Sequence, residues 1–215
     1  MLTKNVFILM LICLVMVSCT KEDEPVTETP VIHSSTLDAA EDRSPPTHCT
    51  SDIYDDALNV TGTATLLRTN NKISMTFHAN NLTPGNAYSV WWVIWNKPEN
   101  CAIPNACDVG DFGITQTVEV DAMFAAGHVV GNSGVGNFAG SLNEDDDSGS
   151  INHLFDEPPF ALEDARTAEV HLLLRDHGPA IPGEVNEQIS SYSGGCDTNV
   201  CYEPMFAIFS PDCGL

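Results

Sequence analysis

Strand-length runs in which apolar and polar side chains alternate recur along most of the chain. "NVTGTATLLRT" alternates until Asn70-Asn71, and "KISMTFHANNL" puts Ile73, Met75 and Phe77 on one face with Ser74, Thr76 and His78 on the other. "LTPG" turns the chain into "NAYSVWWVIWN", and further strand-like runs follow in "GITQTVEVDAMF", "GHVVG", "VGNFAGSLN", "AEVHLLLRDH" and "EPMFAIFS". Two segments, "EPPFALEDARTA" and "EVNEQISSY", are candidates for short helices in loops. Many short strands with Gly/Pro turns, and none of the crossover helices that a parallel sheet requires, predict an all-β fold. It would be an antiparallel sandwich or partly closed barrel.

Two strands depart from burial on a single face. In 169–177, Val170, Leu172 and Leu174 share one face, while Glu169, His171, Leu173, Arg175 and His177 share the other. The second set is a mostly polar row, as expected of a solvated sheet face. In 88–95, Tyr88, Val90, Trp92 and Ile94 oppose Trp91, Val93 and Trp95, so both faces are apolar and both need cover. The core supplies one cover; the segment from Cys101 to Cys107, a partner or a ligand supplies the other. If exposed, Trp91 and Trp95 would form a flat platform for a sugar ring or another apolar surface.

The N-terminal run has a different character. "MLTKN" carries a positive charge, "VFILMLICLVMV" is apolar, and Ser18-Cys19 closes the segment, so residues 1–18 read as a signal peptide too short to span a membrane comfortably. Met16-Val17-Ser18-Cys19 resembles a bacterial lipobox, which implies cleavage before Cys19 and a lipid attached to it. Met at the first lipobox position, in place of Leu, leaves ordinary secretion open. "TKEDE" just after Cys19 looks like the signal that sends some lipoproteins outward. The resemblance implies an exported lipoprotein of a Gram-negative outer membrane or cell surface, with the membrane a partner through the lipid. Residues 19–48 are rich in Pro, Thr, Ser and acid and read as a disordered tether. A flexible coil of that length spans ~30 Å. Residues 49–215 form the single folded domain.

Charge narrows the partners. The 215 residues carry a formal net charge of −22, which repels phosphate backbones and argues against nucleic acid. It suits cations, basic partners or simply a solvated surface. Beyond Cys13 and Cys19 six cysteines remain, an even number that reads as disulfides in an exported chain. Spacing favours Cys101–Cys107 and Cys196–Cys201, leaving Cys49–Cys213 to tie the domain ends. A zinc site is the rival, although neither spacing is a tight knuckle.

"VTGTATLLRTNNKISMTFHANNLTPGNAYSVWWVIW" resembles the opening hairpins of copper–zinc superoxide dismutases and of chordin-type repeats, and "AEVHLLLRDHGPAIPG" is similar to a His-bearing strand of the latter. The resemblance implies a Greek-key arrangement. It also implies copper-binding histidines on the strand after "LTPG", where this chain has Val90-Trp91-Trp92-Val93, a departure that counts against dismutase activity.

Candidate chemistry centres on 169–177. His171 and His177 would lie ~20 Å apart in a straight strand, too far to share one ion. Arg175 and His177 are roughly 6.6 Å apart and can converge on an anionic group. Arg175 equally suits pairing with a neighbouring carboxylate. His78, His128 and His171 could form a transition-metal site only if the fold gathered them. "NEDDDSGS", with Asp146, faintly resembles a Ca²⁺ loop but lacks its final Glu. No nucleophile elbow, zincin helix or phosphate loop occurs. These features predict a binding domain for a small anionic, carbohydrate or apolar ligand, contacted by His171, Arg175, His177, Trp91 and Trp95. The alternatives are an extracellular metal-dependent enzyme, with His171, Arg175 and His177 as its catalytic candidates, and a structural or adhesive surface protein.

Overall fold

A computed structural model describes residues 44–213. Residues 1–18, read above as a signal peptide, Cys19 and the segment read as a tether up to residue 43 lie outside the described residues. Eight strands form one antiparallel sheet: β1 (Thr47–Asp55), β2 (Val60–Arg68), β3 (Lys72–Ala79), β4 (Asn86–Trp95), β5 (Val120–Val129), β6 (Gly136–Asn143), β7 (Glu169–Pro179) and β8 (Tyr202–Phe209). Their spatial order is β5-β4-β7-β8-β1-β2-β3-β6. β3 thus pairs with β6 and β4 with β7, as Greek-key connections require. The outer strands β5 and β6 come back together, with the His128 and Phe138 rings 4.5 Å apart across the seam. The sheet is therefore a nearly closed antiparallel barrel.

Alternation explains what fills it. Ile73, Met75 and Phe77 point inward from β3, Val90, Trp92 and Ile94 from β4, and Val170, Leu172 and Leu174 from β7, all buried in one core. At ~25 cal/mol per Å² of apolar surface, that interior is the main source of stability. It is packed with side chains.

Three disulfides join Cys49–Cys213, Cys101–Cys107 and Cys196–Cys201, with Cα separations of 5.6, 5.3 and 5.4 Å. The first links β1 to the chain just past β8. The other two close small loops on the outer face.

Three expectations about local structure change. Residues 157–168 hold no helix, because Pro158-Pro159 breaks the segment and Leu162 instead bridges to Glu144. The run "GITQTVEVDAMF" is not one strand: a 3-10 stretch, Val109–Ile114, passes into the single helical turn α1 (Thr115–Val118). Glu119 then takes a left-handed conformation, φ 49°, and β5 continues to Val129, so the first three residues of the run read as a separate "GHVVG" strand belong to it. α2 (Val185–Gln188) is one turn inside the second candidate helix. Among the described residues no helix is long and apolar enough to cross a membrane.

Candidate functional site

The outward face of β4 and β7 is covered, contrary to the solvated row read from sequence. Glu169 and His177 are 0 % exposed, His171 8 % and Arg175 9 %. The cover comes from three segments distant in sequence: 101–118, 150–160 and 190–201. Val93, Trp95, Cys101, Cys107, Val118 and Val120 form a second small core beneath the first of them.

Between these segments lies a cavity of about 760 Å³ on the outside of the barrel. Its floor is Trp91 and Val93 from β4, Ala122 from β5, His171 and Leu173 from β7, and Phe206 and Ile208 from β8. Its walls include Val109, Phe112 and Thr115 on one side, Ile151, Phe155 and Glu157 on another, and Tyr192 on the third. The surface is mainly aromatic and aliphatic. Phe112 and Phe155 remain 41 % and 59 % exposed at its margin, more apolar surface than a loop normally leaves to water.

His171 is the polar centre of the floor. Its Nε2 lies 2.7 Å from Glu169 Oε1, which also accepts the Cys107 backbone N–H at 3.0 Å. Glu169 is fully buried, and its Oε2 has no partner. An acceptor that already takes one N–H takes a hydrogen bond from the imidazole Nε2–H, and in the neutral ring this leaves Nδ1 as an acceptor. The adjacent Trp95 ring, centroid 5.7 Å away, fixes the imidazole plane from one side. A carboxylate-oriented imidazole of this kind can accept a hydrogen bond or, given a substrate, a proton.

Arg175 does not face the cavity as a free cation. It pairs with Glu203, donates Nε–H to Tyr192 O at 2.7 Å, and lies 3.9 Å over the Tyr192 ring. The Tyr192 hydroxyl donates to the same Glu203 oxygen at 3.0 Å. Burial, with Glu203 beside it, raises the Tyr192 pKa above its ordinary value. The guanidinium is used to seat the 190–201 segment, so of the two uses read from sequence it takes pairing with a carboxylate of the protein and not the grip on a ligand anion.

His177 is buried deeper, outside the cavity lining. Nδ1–H donates to Gly194 O at 2.9 Å, so Nε2 accepts from the Ser89 hydroxyl at 2.7 Å, and Ser89 Oγ in turn accepts Trp91 Nε1–H at 2.7 Å. Burial pulls the His177 pKa below its ordinary value. Gly178 follows at φ 74°, and a Cβ there would come 2.7 Å from Asn199, so the strand end is tightly packed. This is a structural network. Of the five ligand-contact candidates, His171 and Trp91 line the cavity and Arg175, His177 and Trp95 do not. Trp91 and Trp95 are 3 % and 1 % exposed, so they form no open platform; Phe112 sits on Trp95 and Tyr192 edges Trp91.

The metal candidates are not gathered. His78 is on the outward face of β3, paired with Asn137. His128 stands opposite the inward Tyr88 and against Phe138, on the other face of the sheet. Asp146 accepts from Ser148 within its own exposed turn, which lowers its pKa. Among the described residues, two groups of three potential ligands converge, His177 with Cys196 and Cys201, and Asp111 with Cys101 and Cys107. In both, the sulfurs are already tied in disulfides.

Glu169 was read from sequence as a member of the polar row and a carboxylate candidate for Arg175; it pairs with His171 instead, and Glu203 takes Arg175. Glu203, Tyr192, Phe112 and Phe155 carried no signal, since each reaches the site from a loop or strand distant in sequence from β4. Comparisons with known protein families, with curated proteins and with solved structures return no match.

Proposed function

We propose that this domain binds a small, mainly apolar molecule in the external cavity, and that the chain presents it at a cell surface from a tether acylated at Cys19. The observation that carries the reading is the cavity itself. At about 760 Å³ it lies within the size of ligand sites, roughly 300–1,000 Å³. Its walls are aromatic, and a single oriented imidazole stands on its floor. Of the ligand classes expected from sequence, these features favour the apolar one. They give no support to an anion held by Arg175 and His177, which are already engaged within the protein.

Leu173→Trp fills the floor without adding a polar group. It is expected to abolish uptake of hydrophobic fluorescent probes while the thermal melt stays within a few degrees of the native chain. Probe uptake undiminished in that variant would remove the cavity from consideration. Mass spectrometry of the mature N-terminus tests the acylation: an unmodified residue 19 would end that part of the reading.

The Glu169–His171 pair favours one second reading, an enzyme in which His171 acts as general base on a bound apolar substrate. A turnover screen with apolar esters separates the two. Hydrolysis lost in His171→Gln supports catalysis, and binding without turnover supports a carrier.

A further inference from the structure

Each side-chain hydrogen-bond donor lining the cavity is already committed inside the protein. Trp91 Nε1–H goes to Ser89 Oγ and the Thr115 hydroxyl to Phe112 O, both at 2.7 Å. Asn152 Nδ2 donates to Val120 O and to Pro158 O, each at 2.9 Å, and the Tyr192 hydroxyl donates to Glu203. The Nε2–H of His171 goes to Glu169. What remains to meet a ligand accepts and does not donate.

Those acceptors are specific. His171 Nδ1 has no partner in the protein, on a residue more than nine-tenths buried that lines the floor. Glu157 and Glu203 also line the cavity, and each keeps one carboxylate oxygen without a protein donor; Asp108, beside them, is turned to cap the Val109–Ile114 stretch. An anion would meet the carboxylates of Asp108 and Glu157, with Glu203 already matched by Arg175, and no side-chain donor. A neutral hydrocarbon would leave Nδ1 desolvated and without a hydrogen bond. A ligand that brings both N–H donors and positive charge meets neither penalty.

The aromatic walls act in the same direction, because ring faces attract cations. The protein displays such a pairing at the edge of the cavity: the Arg175 guanidinium rests on the Tyr192 ring, against Glu203. The formal net charge of −22 further raises the local concentration of small cations.

We propose that the cavity takes an organic ammonium ion with an apolar body, its N–H donated to His171 Nδ1 and its charge balanced by the carboxylates around the cavity. The proposal rests on the binding reading above and names its ligand class. The test is calorimetric titration of the full chain at neutral pH and low salt with four eight-carbon probes: octylammonium, octyltrimethylammonium, octanol and octanoate. Octylammonium is expected to bind about tenfold more tightly than octanol, a difference of about 1.4 kcal/mol. Octyltrimethylammonium, which has charge but no N–H, should fall between them, and octanoate should bind least. Glu157→Gln should weaken octylammonium about threefold and leave octanol unchanged.

Octanol matching octylammonium, or octanoate exceeding it, would overturn the cation preference while leaving an apolar binding site intact. Octylammonium affinity untouched in Glu157→Gln and insensitive to added salt would overturn the role of the carboxylates. Failure of all four probes would bring down the binding reading together with the proposal.

Discussion

Arg175 and His171 point from the same face of β7, four residues apart, and the fold uses them in opposite ways. Arg175 is consumed by its surroundings, whereas His171 keeps one nitrogen open to the cavity. Arg175→Ala removes a charge-assisted pair with Glu203, the Nε–H bond to Tyr192 O and the cation over the Tyr192 ring. Glu203 is about one-third exposed, so solvent screens part of that loss, and the expected destabilisation is about 2 kcal/mol by urea unfolding. A midpoint shift below a few tenths of that would show the guanidinium to be dispensable. The alternation of 169–177 was legible in the sequence, and it correctly put Val170, Leu172 and Leu174 in the core. That the opposite row would be roofed was not legible, because the roof consists of segments up to about 70 residues away whose own patterns are irregular.

At the scale of elements, the 150–160 wall depends on Asp121 in β5. Its carboxylate accepts from the Ser150 hydroxyl and from the Phe160 N–H, both at 2.7 Å. Burial nevertheless outweighs these bonds and pushes the pKa up from 3.8 to about 6. Between those two values the folded chain holds a proton that the unfolded chain lacks, so this contribution raises stability as pH falls and is lost as pH rises through about 6. His177 has the opposite sign. Its folded pKa is depressed, so below its ordinary 6.5 the unfolded chain takes the proton first, and stability falls with pH. Asp121→Asn removes the favourable member, a contribution of order 2 kcal/mol. Its melting temperature should therefore drop more steeply than that of the native chain on acidification from about pH 6 to 4. Parallel melting profiles would refute the assignment. Strands β2, β3, β6, β7 and β8 were visible as strand-length runs, and β4 as a run apolar on both faces. β1 was not, since of Thr47–Asp55 only Cys49 and Ile53 are buried apolar side chains. The helical turn at Thr115–Val118 was hidden in β-favouring residues and set by the left-handed Glu119 that follows it.

For the whole molecule, the three disulfides have unequal work. Cys49–Cys213 spans 164 residues, whereas Cys101–Cys107 and Cys196–Cys201 span 6 and 5. On a chain-entropy basis the long link contributes about 5 kcal/mol and each short one about 2. Replacing Cys49 and Cys213 by Ser should lower global stability severely. Replacing Cys196 and Cys201 should instead leave most of the melt intact and loosen the Tyr192 wall, seen as faster amide exchange in 190–201. Equal melting losses from the two pairs would contradict that division of labour. The even cysteine count pointed to disulfides, and the spacings favoured the three pairs that the structure forms. The cavity they help to frame was not disclosed, because no single stretch of sequence contains it. Its position outside a filled barrel has a corollary. The three covering segments take no part in the strand order, so the lining of the cavity can vary with their length and sequence while each strand keeps its neighbours.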